Sequence, residues 1–185
     1  MKLFGEQYLK DYLSEKLNDA KRRLQFMNEV EFKSKSKENL LKELVLLSTV
    51  NPLKIDLDNN RTSEVKMREI SGSHFPNTYD VHPSSKYPRA LITYTYLFSS
   101  NSLLMGCIPS NFIPKIKSEI RFSQGKMFIE YQTLHATEIL SDKVVKEAKN
   151  WILSVHDEIH NAVSQINKDI ENYNMTISEE LQPLI

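Results

Sequence analysis

The sequence predicts an α+β fold: N-terminal helices, a small antiparallel sheet with a β-hairpin, and one long C-terminal amphipathic, coiled-coil-like helix. Three observations carry it. Apolar residues recur at steps of three and four near the N-terminus. They alternate at steps of two in the middle, and after Ser141 no Gly or Pro breaks a second helical stripe until Pro183. At 185 residues the expectation is a single α+β domain over 1–185, helical over 1–50, mainly β over 51–135 and a long helix over 141–182.

The N-terminal stripe is Leu9, Leu13, Leu17, Ala20, Leu24 and Met27, with Tyr8 and Tyr12 beside it. It predicts one helix over roughly residues 5–31 at the spacing of a coiled-coil seam. Ser36 then has the form of an N-cap for a second helix carrying Leu40, Leu41, Leu44 and Leu47, and Pro52 ends it. Leu53, Ile55 and Leu57 alternate as a strand would, and Val65 and Met67 begin another, with "DNNR" as the turn between. Residues 71–88 crowd Pro, Ser and aromatics without periodicity and read as a loop. "RALITYTYLF" is the most strand-like run, and "KIKSEIRFSQGKMFIEYQTL" reads as a hairpin turning at Gln124-Gly125.

The closing helix starts at Ser141 as N-cap. Its stripe is Val145, Ala148, Ile152, Val155, Ile159, Ala162, Ile166, Ile170, Tyr173 and Ile177. Unbroken, it spans about 60 Å, more than a domain of this size usually covers. Val155, Ile159, Ala162, Ile166, Ile170, Tyr173 and Ile177 are therefore the expected contact seam for a second copy of the chain or a partner protein. Thr176 with Glu179 has the form of a capping box, which predicts a break near Asn174.

Composition narrows the function. Lys plus Arg and Asp plus Glu are 24 each, which argues against a dedicated nucleic-acid coat because phosphate binding needs surplus cations. Basic clusters at Lys21, Arg22 and Arg23, at Lys33, Lys35 and Lys37, and at Lys115, Lys117 and Arg121 are interleaved with acids, so they read as solvated faces with weak support for a nucleic-acid contact. The four glycines leave little for phosphate-cradling loops. Cys107 is the lone cysteine and reads as a buried intracellular thiol. No segment has the roughly 20 uninterrupted apolar residues a membrane requires. The expectation is a cytoplasmic protein that does not enter membranes and uses no cofactor.

His156 and His160, within "HDEIH", are the weak metal candidates. A zinc protease needs Glu directly after the first His, and Asp157 stands there. The pair reads as the solvated flank of a helix. Weak catalytic candidates are His74, Asp80 and His82 in the 71–88 loop, with Glu130 on a strand, residue types that general acid–base chemistry uses. An acidic-x-Lys nuclease pair fails at Gln132.

The run "RALITYTYLFSSNSLLMGCIPSNFIPKIKSEIRF", then "KMFIEYQ", then a helix ending "INKDIENYN", resembles the N-terminal accessory region of uncharacterised bacterial proteins associated with defence against phage. Those proteins often carry a restriction-endonuclease-like domain downstream. Pro109 and Ser110 match the pattern's Pro-Ser pair, Tyr173 lies just before Asn174 where the pattern closes on an aromatic-x-Asn, and Ile108 replaces the expected Arg. The resemblance implies an accessory or sensing portion without the cutting domain. The reading leans away from an enzyme, toward a non-enzymatic interaction, assembly or sensing module, with a subunit of a bacterial anti-phage system as its setting. The alternative is a hydrolase or nuclease-associated subunit with its site around the 71–88 loop.

Overall fold

The computed structural model describes residues 1–58, 61–113, 115 and 120–185. In chain order the elements are β1 (Gln7–Tyr8), α1 (Leu9–Gln25), α2 (Glu29–Ser34), α3 (Lys37–Ser48), β2 (Thr62–Ser71), β3 (Lys86–Leu97), β4 (Cys107–Ile108), β5 (Ile120–Ser123), β6 (Lys126–Gln132) and α4 (Asp142–Leu181). The fold is α+β. No helix among the described residues is long and apolar enough to cross a membrane. The chain forms two compact units: Met1, 55–99 and 116–158 in one, 2–54, 100–115 and 159–185 in the other.

The first unit is built on a four-stranded antiparallel sheet in the order β2-β3-β6-β5. β5 and β6 meet at Gln124-Gly125, both at positive φ (50° and 69°), the backbone a two-residue hairpin requires. Residues paired across the ladders share a face, so Tyr94, Ile129 and Ile120 make one row and Tyr96, Met127 and Phe122 the next. The opening turns of α4 lie on this face, with the Trp151 ring 5.2 Å from Tyr131 and His156 5.4 Å from Tyr96. The opposite face carries Arg68, Glu130, Arg121 and Phe128. Ile70, Phe75 and Leu91, backed by Val81 and Tyr87, form a small cluster beneath the segment joining β2 to β3.

The second unit packs Ala20 of α1 and Leu40 and Leu44 of α3 with Ile177 and Leu181 of α4. Here β1 and β4 form a parallel pair, Gln7 opposite Cys107 and Tyr8 opposite Ile108. Phe4, wholly buried at φ 48°, donates its N–H to the Met105 carbonyl.

Several expectations are corrected. The N-terminal helix ends at Gln25, because Asn28 caps a separate α2 by accepting from the Glu31 N–H at 2.8 Å. The alternating run at Leu53, Ile55 and Leu57 belongs to no strand, although Leu53 and Leu57 are buried. Strand structure reaches Ser71 and resumes at Lys86, trimming the 71–88 loop at both ends. Helix α4 continues through Asn174, and the Thr176 hydroxyl donates to the Tyr173 carbonyl instead of capping. The seam from Val155 to Ile177 is covered by the chain itself: Val155, Ile159, Ala162, Ile166, Ile170 and Ile177 are at most 1% exposed, and Tyr173 is half-buried. The physical reason is that α4 contributes to both units, each of which covers its own stretch of the stripe. The "DNNR" turn and the hairpin start fall partly on residues 59, 60, 114 and 116–119, outside the described residues.

Candidate functional site

An open concave surface lies in the second unit, beside β1 and β4. It is a groove of about 660 Å³ whose floor and lip include Tyr8, Leu13, Ile108, Phe112 and Ile113, with Asp169 at the rim. Its shape follows from how the chain after β4 is held. The Ser110 N–H and hydroxyl both donate to the Asp169 carboxylate, at 2.8 and 2.6 Å. Gln165 Nε2 donates to the Ser110 hydroxyl and to Asp169, at 3.1 and 2.9 Å. Asn111 follows at φ 53°, a left-handed turn that Asn tolerates. The turn sends Phe112 inward, its ring 5.7 Å from Phe4 and edge-on, and leaves Ile113 84% exposed. Tyr8 on the facing lip is 56% exposed. The groove thus combines an apolar floor with a hydrogen-bonded rim, the usual make-up of a concave binding surface.

The residues that carry the resemblance serve structure. Ser110 meets Asp169 of "INKDIENYN", the Tyr173 hydroxyl donates to the Ser48 carbonyl at 3.2 Å, and Asn174 pairs with the Val50 backbone. Burial pushes the Tyr173 phenol up to about 12. Burial also pushes up the Cys107 thiol, partly offset by the Gln7 amide, and the cysteine is fully buried.

The four catalytic candidates are not joined by any hydrogen bond among the described residues. His74 and Asp80 are exposed. His82 shares a 2.8 Å hydrogen bond between Nδ1 and Ser84 Oγ and gives its backbone N–H to the Tyr87 hydroxyl, so its contacts brace its own loop. Glu130 is held by Arg68 through two bonds of 2.9 and 3.0 Å, and by Arg121 at 3.6 Å. Around the loop, Arg89 lies 4.8 Å over the Phe75 ring, and Gly72 donates to the Ser85 carbonyl at 2.8 Å. The loop covers one end of the sheet.

His156 corrects the flank reading. It is 4% exposed and its Nε2 shares a 2.7 Å hydrogen bond with the Tyr96 hydroxyl. Only His160 is solvated. Among the described residues no group of three or more His, Cys, Asp or Glu is placed to hold a metal. Five of the six N-terminal cluster residues are ion-paired: Lys21 with Glu180, Arg22 with Asp19, Arg23 with Glu31, Lys33 with Glu29, and Lys35 with Glu31 and Glu43. Lys117 lies outside the described residues.

Sequence reading missed two features. The Asp169–Ser110 clamp joins positions far apart in the chain, and no local signal marks it. Asn167 and Asn174 did leave one: two asparagines seven apart share a helix face. No family model, curated protein or solved structure matches this chain.

Proposed function

We propose that this chain is a non-enzymatic interaction and assembly module, and that its partner is a second copy meeting it at the groove beside β1 and β4. The observation that carries the reading is Ile113, 84% exposed at the lip of an apolar groove. A protruding aliphatic side chain next to a concave apolar floor is the self-complementary shape a two-fold interface uses. Tyr8 adds an aromatic anchor of the kind that dominates interface energetics. The covered α4 seam turns the assembly surface away from the helix and onto this groove. In the setting the resemblance implies, such a dimer is the accessory or sensing part of a bacterial anti-phage system.

Light scattering over a concentration series tests it. The expected result is a concentration-dependent dimer that Ile113→Asp weakens on the order of tenfold or more, since a charge is then buried where an alkyl group sat. A strictly monomeric protein across the series overturns the reading.

A further inference from the structure

Residues 50–54 leave α3 as an extended strap, and no backbone–backbone hydrogen bond among the described residues holds them. Side chains do so instead. The Asn174 amide accepts from the Val50 N–H at 3.1 Å and donates to the Val50 carbonyl at 2.9 Å. Asn167 repeats the arrangement at Leu53, accepting at 2.7 Å and donating at 3.0 Å. The Ser100 hydroxyl finishes the series on Lys54, accepting from its N–H at 2.8 Å and donating to its carbonyl at 3.0 Å. The spacings match. Seven residues of helix rise about 10.5 Å, and three residues of extended chain span about 10 Å, so the two amides fall in step with every third residue of a strand running antiparallel to α4.

A side-chain amide presents the same donor and acceptor as a peptide group, so this ladder reads backbone and is indifferent to side-chain identity. Selectivity comes from the two residues it aligns. Val50 and Leu53 are 5% and 3% exposed, while Asn51 and Pro52 between them face out. Pro52 suits the third position because it fixes an extended φ and gives up an N–H that the ladder leaves unused. Along its outer side runs an open groove of about 730 Å³, lined by Pro52, Ser164, Asn167, Glu171, Asn174 and Met175. The same two asparagines therefore line both the strap and an entrance from solvent.

We infer that Asn167 and Asn174 form a clamp for extended peptides, that the 49–54 strap is its resident ligand, and that a partner protein's extended segment with two apolar residues three apart displaces it. This goes beyond the assembly reading. It concerns a different surface, and its test reads peptide binding, so either result stands without the other.

The probe is a fluorescently labelled peptide of sequence TVNPLK, residues 49–54, followed by anisotropy with the full chain. The strap competes with it in cis, so the wild-type protein binds weakly. Val50→Asp with Leu53→Asp in the chain frees the clamp and tightens binding at least about tenfold. Adding Asn167→Leu and Asn174→Leu abolishes that binding, and the control peptide TDNPDK does not bind. A freed chain that keeps the wild-type circular dichroism yet binds no peptide, or binds it equally without the asparagines, overturns the inference. Should the freed chain fail to fold, amide hydrogen exchange of the wild-type protein decides. Val50 and Leu53 amides that open far more readily than the Ile166 amide support displacement. Amides that exchange only with global unfolding refute it.

Discussion

At Gly72 a Cβ would lie 2.1 Å from the His82 carbonyl oxygen, a backbone atom that cannot swing aside. Gly72→Ala should therefore destabilise the protein by about 2–3 kcal/mol, read by chemical denaturation, and a neutral outcome would mean the loop adjusts freely. His156 is the second telling residue. The pattern sets it just off the apolar stripe, as part of a solvated flank, yet it is 4% exposed. What the pattern lacks is Tyr96, whose hydroxyl satisfies the ring. Tyr96→Phe removes that hydrogen bond and should cost about 1–3 kcal/mol, with no effect on bound metal content. Glu130 teaches the converse. It sits mid-strand, but Arg68 of β2, one strand beyond its neighbour, and Arg121 of the adjoining β5 engage it, and which residues lie near it across the sheet is a matter of register.

Among the elements, the hairpin and α3 were legible because their signals are local: Gln124-Gly125 for the turn, Ser36 for the cap. Ser36 accepts from the Asn39 N–H at 3.2 Å, so Ser36→Ala should cost about 1 kcal/mol in the same denaturation assay. The split of the first helix was legible too, in Asn28 three residues before Glu31, but the leucine stripe outweighed it. The strap at 50–54 was misread because buried residues at alternate positions look alike whether the backbone pairs with a strand or with side-chain amides. For α4, the stripe fixed the helix and its buried face without saying what covers it. Ile166 is fully buried, so Ile166→Ala should lower stability by about 2–5 kcal/mol and leave self-association at the Ile113 groove intact. A loss of dimer without loss of stability would return the seam to the role first expected of it.

For the whole molecule, buried phenols set an alkaline limit. Burial is the leading cause that raises Tyr94, Tyr96, Tyr131 and Tyr173 above their ordinary value of 10.0. The folded state keeps these protons when the unfolded chain, titrating near 10, has begun to lose them. Their contribution is thus fully present below about pH 10 and is lost as pH rises through the folded values, about 12 for Tyr173. Denaturant midpoints should fall between about pH 10 and pH 12, and tyrosinate absorbance should appear together with unfolding.

By itself the amino-acid order determined the α+β class, the main strands, the hairpin and the presence and buried stripe of the closing helix. These are set by periodicities of two and 3.6 residues and by turn and cap chemistry, all of which act within a few positions. Tertiary structure alone decided that the α4 seam is covered, that His156 is buried against Tyr96, and that Asn167 and Asn174 hold residues more than 100 positions away. Those outcomes depend on which surfaces meet across long loops. Many pairings bury comparable apolar area, and only the folded chain selects among them through the polar partners each one satisfies.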